Sequence, residues 1–481
     1  MHRRNRRALR MRTLMLAAAC AWAVPANAAP VAWDAPGAGN PLLPGYFADP
    51  SIVHDGGHWY IFATADPWGG DHVALWQSEN GRDWRYSRPA WPTKAAATSP
   101  TSGDAMVWAP SVVKARGRWW MYVSVGSEIW VGSAPSPAGP WADANNGRPL
   151  IPGNFRPGFH MIDAEAFVDD DGQAWLAWGS GLNWVNGHCF VAKLARDMVH
   201  LDGAVRDVTP AHYFEAPFLF KARGHYHLTY SAGNTTRDTY QVRDAIGPGP
   251  QGPFTESANS PILQTQPGDQ IISPGHHALF RSGGQAFVLY HRQALPWTPG
   301  RAETLRQIAV DAVDAGADGL LRVHGRAGTG GDHAGVAVPG WAATRTRGLM
   351  WHALGQGDDA AHSPDKAADD NYATLWRPAA DGRLTADLGR VRRLGASLLR
   401  PEYPDRPYRF ALSASRDGQH WRMIAPAAAR EGSPIVVPHA IAARYLRLEV
   451  AAGAMGLWEW TILPPGRGAN GGAAPAGVVR P

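Results

Sequence analysis

The sequence predicts an all-β protein, a five-bladed β-propeller followed by a β-sandwich. Five segments of the chain resemble one another, and each has a short strand, a turn that contains glycine, and a second strand rich in aromatic and branched residues. This pattern is typical of β-hairpins. The segments recur at steps of 60, 54, 52 and 61 residues, and antiparallel repeats of that period indicate the blades of a propeller. The anchors used for these steps are Asp49, Ala109, Asp163, Glu215 and His276.

Three of the five anchors are acids. Because the innermost strand of each blade lines the propeller axis, we expect Asp49, Asp163 and Glu215 to meet at one mouth of the channel. Hydrolysis of a glycosidic bond requires an acid that protonates the leaving oxygen and a carboxylate that activates water or attacks the sugar. A third carboxylate nearby keeps the acid protonated, because like charges raise each other's pKa. The spacing of the acids therefore predicts hydrolysis of a glycoside.

The order and spacing of the five motifs resemble the blade motifs of family 43 glycoside hydrolases, over roughly residues 40–325. The resemblance implies a five-bladed propeller that hydrolyses glycosides with inversion of the anomeric carbon. It also implies Asp49 as general base, Glu215 as general acid, and Asp163 as the residue that tunes the acid and orients the sugar. Glu165 is the alternative to Asp163, because residues two apart face the same side of a strand. The motifs are Asp-Pro-Ser at 49–51, Trp-Ala-Pro at 108–110, Ile-Asp at 162–163, Glu-Ala-Pro at 215–217 and Gly-His-His at 275–277.

The same resemblance suggests residues that bind the sugar or a metal ion. It implies that His276 holds an ion, usually calcium, on the propeller axis. Calcium prefers oxygen ligands, so a hydrogen-bonded core histidine is the alternative. In the family an arginine at about this place contacts the bound sugar, which makes Arg292 the sugar-binding candidate. Its guanidinium would also hold a pocket carboxylate ionised and so help Asp49 to act as base. Trp108 is a candidate apolar wall for the sugar, with core packing as the alternative, and Asn234 is a candidate for reaching the pocket from the fourth hairpin.

Residues 1–28 have the three parts of a signal peptide. An arginine-rich start, the apolar run Leu14–Val24 and the small-residue site Ala26–Ala28 follow in that order. The apolar run is too short to span a membrane. Without the six arginines of this segment the formal net charge of +5 becomes about −1, so composition gives no case for nucleic-acid binding. We expect an exported protein, periplasmic or extracellular, with a lipoprotein anchor as the alternative.

The rest of the chain divides into four parts. We expect the catalytic propeller over residues 29–325, a glycine-rich linker over 326–348, a second β unit over 349–463 and a loose tail over 464–481. The second unit resembles discoidin domains of the coagulation factor 5/8 type. Docking against the propeller and sugar binding are both open roles for it. Two of the motifs that carry this resemblance are Asp-Asp-Asn-Tyr-Ala-Thr-Leu-Trp at 369–376 and Ser-Ala-Ser-Arg-Asp-Gly-Gln-His-Trp at 413–421.

These features predict an exported glycoside hydrolase that releases terminal pentose residues, first of all α-L-arabinofuranosyl, from plant arabinan or arabinoxylan. A β-D-xylosidase and an endo-arabinanase of the same family are alternatives that would use the same acids. A propeller that binds glycan without cutting it is the alternative from another class, and the presence of all three acids argues against it. We expect an oligosaccharide or polysaccharide as the partner, and no organic cofactor.

Overall fold

The computed structural model describes residues 32–466 apart from residues 38, 183, 186, 267–270, 325–336, 381 and 451–454. The expected signal peptide at residues 1–28 lies outside the described residues, as do residues 467–481 of the expected tail. The all-β class is confirmed, because the described part of the chain contains 26 strands and the short 3₁₀ helix Pro364–Ala367. No helix in that part is long and apolar enough to cross a membrane.

Residues 47–324 form five four-stranded antiparallel sheets that follow one another along the chain, and within each sheet the strands pair in chain order. The first two sheets hold β1 (Phe47–Asp55), β2 (His58–Ala65), β3 (Ala74–Ser78), β4 (Arg85–Ser87), β5 (Val107–Ala115), β6 (Arg118–Val125), β7 (Glu128–Ala134) and β8 (Ala142–Asp143). The third and fourth sheets hold β9 (Glu165–Val168), β10 (Ala174–Trp178), β11 (Phe190–Leu194), β12 (Leu201–Asp207), β13 (Glu215–Ala222), β14 (His225–Ala232), β15 (Gln241–Gly247) and β16 (Thr255–Glu256). The fifth sheet holds β17 (Gly275–Ser282), β18 (Gln285–Gln293), β19 (Arg306–Ala315) and β20 (Leu321–His324).

The five sheets surround a common axis. The first strand of each sheet contacts the first strand of the next, and β17 of the fifth sheet contacts β1 of the first. Buried apolar side chains fill the gaps between neighbouring sheets, including the gap between the fifth and first sheets, where Trp76 and Phe287 belong to one cluster. Antiparallel sheets packed radially in this way form a β-propeller.

The segment that leads into β1 joins the fifth sheet to the first. The amide of Asn40 donates a hydrogen bond to the carbonyl of Val310 and accepts one from its N–H, both at 3.1 Å. The N–H of Leu42 donates to the carbonyl of Ile308 at 2.7 Å. Leu42 is fully buried. The lead-in segment therefore pairs with β19 before the chain enters the first sheet.

The first strand of each sheet, or the segment just before it, passes through one residue with left-handed backbone. These residues have φ between 38° and 58°, a conformation that side chains other than glycine rarely adopt. In four of the sheets the pairing register shifts at this point, as it does at a β-bulge. The five bulge residues are Asp49, Ala109, Asp163, Ala216 and His276.

The fourth bulge corrects one anchor of the sequence alignment. Ala216, not Glu215, is equivalent to Asp49 in the fold, so Glu215 occupies the position one residue before the bulge. Trp108 occupies the same position in the second sheet. In the sequence, the Ala-Pro that Trp-Ala-Pro and Glu-Ala-Pro share marks these equivalent positions. Alignment on the acids hid the shift, because Asp49 and Asp163 are themselves the bulge residues whereas Glu215 lies one residue before its bulge.

A side chain on the second strand of one sheet holds the bulge of the next sheet. The hydroxyl of Thr64 accepts a hydrogen bond from the N–H of Ala109 at 2.7 Å. Three more pairs repeat this contact, with acceptors at equivalent places in their own sheets. Such contacts satisfy a buried N–H that the bulge removes from the strand ladder. The three pairs are Ser124 with Asp163, Ser231 with His276, and His291 with Asp49.

The second unit is a β-sandwich built from six strands. In its main path β21, β22, β25, β23 and β24 pair in that order, and β26 pairs with β22 on the other side. The two longest strands, β22 and β25, span 19 and 16 residues. Trp376, Leu412 and Trp460 are fully buried in its core. The strands are β21 (His352–Gly355), β22 (Arg383–Pro401), β23 (Tyr408–Ser415), β24 (Trp421–Arg430), β25 (Ile435–Val450) and β26 (Leu457–Leu463).

The described part of the expected linker, residues 337–348, packs against the first sheet. Trp341 is 9% exposed and contacts the rings of Trp59 and Trp84 edge-on. A Cβ on Gly81 would lie 2.1 Å from the Trp341 ring, so only glycine fits there. This segment is therefore part of the packed structure that joins the two units.

Candidate active site

The three predicted acids meet in one pocket. The pocket has a volume of about 410 Å³, and Asp49, Asp163 and Glu215 all line it together with His276. This volume lies in the range of sites for small ligands. A second cavity of about 380 Å³ lies between the lead-in segment and the β-sandwich, and none of the three acids lines it. The bulges described above bring the acids together from three different sheets.

Asp49 is a buried carboxylate held in its ionised form. Its Oδ2 accepts a hydrogen bond from the Thr64 hydroxyl at 2.7 Å. Its Oδ1 lies 3.2 Å from Arg306 Nη1 and 3.2 Å from His276 Nδ1. Burial by itself would raise the pKa of Asp49, but the positive charges of Arg306 and His276 outweigh burial and lower this pKa well below its usual value. Asp49 is thus suited to accept a proton.

A second acid, Asp66, fixes the orientation of the Arg306 side chain, which also contacts Asp49. Its Nη2 lies 2.6 Å from Asp66 Oδ1, and its Nε donates to Asp66 Oδ2 at 3.0 Å. The backbone N–H of Arg306 also donates to Asp66 Oδ2, at 2.7 Å. Two parallel hydrogen bonds hold the plane of a guanidinium group. The remaining Nη1 is therefore directed at Asp49.

Glu215 has the environment of a protonated acid. Its Oε1 accepts a hydrogen bond from the Tyr240 hydroxyl at 2.7 Å, and its Oε2 accepts one from Ser180 Oγ at 2.9 Å. Burial raises the pKa of Glu215, and these two hydrogen bonds only partly offset that rise. A carboxylic acid with a raised pKa is suited to donate a proton near neutral pH.

Asp163 is close enough to the other two acids for their charges to affect its pKa. Its carboxylate accepts a hydrogen bond from the backbone of Ala216, next to Glu215. Burial raises its pKa, and the neighbouring Glu215 and Asp49 raise it further. Glu165, the alternative to Asp163, is buried with a pKa raised to about 8 by burial, and it is not among the pocket residues. The bulge at Asp163 breaks the alternation that would have placed both acids on one face.

His276 contacts two of the acids. Its Nδ1 lies 3.2 Å from Asp49 Oδ1 and 3.6 Å from Asp163 Oδ2. Burial would lower the pKa of His276, but Asp49 and Asp163 raise it to about 9. The imidazole is therefore a cation at neutral pH that balances the carboxylates.

The described residues around His276 do not fit a calcium site built from protein ligands. Beside the imidazole nitrogen they offer the carboxylates of Asp49 and Asp163, whose oxygens lie 3.2 and 3.6 Å from it, whereas the ion takes six to eight oxygen ligands. Within the described ranges, three ligand atoms of His, Cys, Asp or Glu lie within 4.8 Å of one another only at Asp358, Asp359 and His362 on the β-sandwich. An axial ion at His276 would therefore depend on water for its other ligands.

Comparison with known proteins matches both units. The model of glycosyl hydrolases family 43 matches residues 38–321, more than half of the chain. The chain belongs to this family. The F5/8 type C domain model matches residues 352–461, which lie in the β-sandwich. The protein is thus a family 43 glycoside hydrolase with a discoidin-type domain after the propeller.

Several relatives of this family 43 enzyme are characterised. A β-D-galactofuranosidase of Aspergillus niger is 33% identical over 53% of this chain and 76% of its own length. An extracellular exo-α-(1→5)-L-arabinofuranosidase of Cellvibrio japonicus is 25% identical over 50% of this chain and 78% of its own length. A solved structure of a glycoside hydrolase is 26% identical, has a TM-score of 0.72, and covers 89% of this chain and 99% of that one. The last match extends over both units.

Arg292 does not reach the pocket of the family 43 enzyme, contrary to the sequence interpretation. It is 4% exposed, its Nη1 donates to the Gln293 carbonyl at 3.3 Å, and it is not a pocket residue. The adjacent His291 contacts Asp49 instead. Neighbouring residues of a strand face opposite sides, so a shift of one residue reverses the assignment. Arg306, on the next strand, is the arginine that lines the pocket.

Of the other two predicted sugar-binding residues, Trp108 lines the pocket and Asn234 does not. Trp108 lines the pocket, where its ring contacts that of His160 edge-on at 5.9 Å. Asn234 is not a pocket residue, because its side-chain oxygen accepts hydrogen bonds from the N–H and the hydroxyl of Thr236. Its neighbour Thr235 does line the pocket. The fourth hairpin therefore reaches the site through Thr235.

Proposed function

We propose that this enzyme releases terminal furanosyl residues from plant arabinan or arabinoxylan, with inversion of the anomeric carbon. The first candidate for the released sugar is α-L-arabinofuranosyl. The observation that carries the proposal is the contrast between two carboxyl groups in one pocket. The pKa of Asp49 is lowered and that of Glu215 is raised. A glycoside hydrolase requires one carboxylate and one carboxylic acid at the same time, and the resemblance to the family implies the inverting form of the reaction.

The reaction is a single displacement at the anomeric carbon. Glu215 gives its proton to the glycosidic oxygen as the bond from that oxygen to the anomeric carbon breaks. A water molecule on the opposite face forms the new bond to this carbon and gives its proton to Asp49. Inverting enzymes place these two carboxyl groups roughly 6.5–9.5 Å apart to leave room for the water. The proton on Asp49 then returns through solvent to Glu215.

Asp163 and His276 adjust the protonation states of the two reacting carboxyl groups, Glu215 and Asp49. Asp163 helps to keep the pKa of Glu215 high through its proximity, and the Ala216 backbone fixes it beside the acid. The imidazolium of His276 stabilises Asp49 as a carboxylate. An axial calcium ion at His276 is a separate proposal that has no part in this scheme, and removal of divalent ions with EGTA tests it.

The names of the relatives support a furanosyl substrate. The relative from Aspergillus niger is named for galactofuranose, and that from Cellvibrio japonicus for arabinofuranose. Both sugars have a five-membered ring, and galactofuranose has one more carbon in its exocyclic chain. Release of β-D-galactofuranosyl residues is therefore the second candidate function, favoured by the 33% identity to the first relative.

Two further proposals concern the whole chain. The five sheets of residues 47–324 support a propeller of five blades, one sheet to each blade. The arginine-rich start and apolar run of residues 1–28 support export to the periplasm or the medium. Two of the relatives are named as extracellular enzymes, which agrees with export.

Hydrolysis of nitrophenyl glycosides tests the reaction. We expect the wild type to hydrolyse the α-L-arabinofuranoside or the β-D-galactofuranoside faster than the β-D-xylopyranoside. Glu215→Gln should lose activity on arabino-oligosaccharides by about 10²–10⁴-fold, the usual contribution of a general acid. It should lose less on nitrophenyl substrates, whose leaving group needs little protonation. Proton NMR of the first product should show the inverted anomer.

Glu165→Gln is the matched control, because it removes a buried acid of the same chemistry that does not line the pocket. It should keep most of the wild-type activity. A preference for the xylopyranoside would replace the furanosyl proposal with β-xylosidase activity. Retained configuration in the product would rule out inversion, and glycan binding without turnover of any glycoside would support a non-catalytic propeller.

A further inference from the structure

Two tryptophans stand exposed at the mouth of the pocket. Trp68 lies between β2 and β3 and is 40% exposed, and Trp184 lies between β10 and β11 and is 39% exposed. Both have left-handed backbone, with φ of 57° and 62°. Bulky residues seldom adopt this conformation, and it persists where function requires it. The two indoles contact each other, and a continuous exposed apolar patch beside a pocket is typical of a ligand-binding site.

The two rings contact each other across the mouth. Their centroids are 6.3 Å apart. Trp68 belongs to the first sheet and Trp184 to the third, and these sheets are not neighbours in the ring because the second sheet lies between them. The contact therefore spans the mouth of the pocket.

Two further contacts extend this bridge to the catalytic acids. The guanidinium of Arg306 lies 5.0 Å from the ring centre of Trp68. The ring of Phe214 is stacked on Trp184, with centroids 5.5 Å apart and 24° between the planes. All four side chains line the pocket. We name this row of Arg306, Trp68, Trp184 and Phe214 the aromatic arch.

The aromatic arch connects the two sides of the reaction. Arg306 contacts Asp49, the base, and Phe214 immediately precedes Glu215, the acid. An enzyme that cuts within a polysaccharide needs an open cleft on both sides of the cleaved bond. A bridge of side chains from the base to the acid closes one side of such a cleft.

We propose that the aromatic arch makes this site a pocket with one open end, so that the enzyme removes single sugars from chain ends and does not cut within the chain. This inference rests on the proposed function, which already has the enzyme release terminal residues, and adds to it the side chains that restrict cleavage to chain ends. The exposed indole faces present an apolar wall to the C–H face of the terminal sugar. The polar floor of Asp49, Glu215 and His276 meets its anomeric carbon.

The test compares chain-end release with internal cleavage on linear 1,5-α-L-arabinan and on dyed, cross-linked arabinan. Wild type should produce arabinose alone from the linear polymer and should release no soluble dye. Trp184→Ala should release soluble dye and should produce arabino-oligosaccharides beside arabinose, neither of which the wild type gives. Trp184→Phe keeps a ring beside Phe214 and should retain the wild-type product pattern.

Val185→Ala is the control, because Val185 lies in the same loop, is 54% exposed and is not a pocket residue. Dye release by the wild type, or products of Trp184→Ala that remain arabinose alone, would overturn the proposal. The product ratio does not depend on the total rate, so a slower variant still gives an answer. If nitrophenyl galactofuranoside is the only substrate hydrolysed, the same ratio is measured on a galactofuranose polymer. Failure on every nitrophenyl furanoside would contradict the proposed function itself.

Discussion

Tyr240 and His291 stack with offset, nearly parallel rings, with ring centroids 5.6 Å apart and 2° between their planes. The Tyr240 hydroxyl donates to Glu215, and His291 Nδ1 lies 3.2 Å from Asp49 Oδ1. Burial lowers the pKa of His291 to about 3, so its ring is neutral and stacks without bringing a charge to the pair. The stacked pair therefore connects Glu215 to Asp49 through direct contacts.

Removal of the Tyr240 hydroxyl should change the pH profile. Its hydrogen bond lowers the pKa of Glu215, so Tyr240→Phe should raise that pKa further. The acid works in its protonated form, and activity is lost as the pH rises through its pKa. The basic limb of kcat/KM should therefore move to higher pH in Tyr240→Phe.

A control for this variant is Tyr230→Phe. Tyr230 is buried in the neighbouring strand β14, and its hydroxyl donates to the Ala211 carbonyl at 2.6 Å, away from the acids. Its loss should leave the basic limb in place. A basic limb that moves equally in both variants would show that the shift comes from general loosening of the sheet.

Arg306 should control the acidic limb. Arg306→Met removes the largest charge that lowers the pKa of Asp49, so this pKa should rise. Asp49 works as a carboxylate, present above its pKa and lost as the pH falls through it. The acidic limb of kcat/KM should move to higher pH, and activity at neutral pH should fall by at least about a hundredfold, as expected when a general base is impaired.

Arg292→Met provides the comparison. This arginine is as buried as Arg306, at 4% exposure, but it does not line the pocket. We expect Arg292→Met to lower the thermal stability and to leave the acidic limb unchanged. If the acidic limb moved in Arg292→Met and stayed in place in Arg306→Met, Arg292 would regain the role that the sequence suggested for it.

Asp163 and Glu165 can be separated by isosteric changes. Asp163→Asn should lower kcat on oligosaccharides by about 10²–10³-fold, because the amide is not an acid and can no longer be coupled to the titration of Glu215. Glu165→Gln should change kcat by less than about fivefold, since burial and not the pocket determines its environment. Steady-state kinetics at the pH optimum of each variant decides between them. A larger loss in Glu165→Gln would assign the tuning role to that residue.

Repeated motifs made most of the site predictable. Asp49, Asp163, Glu215, His276 and Trp108 all line the pocket, because each stands at or beside the bulge that begins a sheet. The same position recurs in every repeat, so position in the motif predicts position in the fold.

The residues that were missed lie outside the repeated positions. Arg306 is on a third strand, and its partner Asp66 lies 240 residues away in the chain. An ion pair between such distant residues leaves no local pattern in the sequence. Trp68 and Trp184 lie in loops outside the strands, and the tryptophans themselves have the left-handed backbone although glycine or asparagine stands next to each of them. The sequence interpretation named Arg292, but its neighbour His291 contacts Asp49, because adjacent residues of a strand face opposite sides.

The β-sandwich should contribute to stability through one buried contact with the propeller. The Tyr46 hydroxyl donates to Glu402 Oε1 at 3.2 Å, and Arg377 Nη2 lies 2.6 Å from the same oxygen. Glu402 is 7% exposed. Glu402→Gln leaves Arg377 without a charged partner and should lower the free energy of unfolding by about 1–2 kcal/mol, less than a fully buried pair because Arg377 is partly exposed.

The matched control is Glu431→Gln. Glu431 on the β-sandwich side pairs with Arg88 of the propeller at 2.6 Å, but both side chains are exposed. An exposed pair contributes little, so this variant should change stability by less than about 0.5 kcal/mol. Thermal unfolding of the two variants and the wild type measures the difference. Equal Tm values for Glu402→Gln and Glu431→Gln would show that the buried contact adds nothing to docking, and that the apolar packing of Tyr46 on Trp458 holds the units together alone.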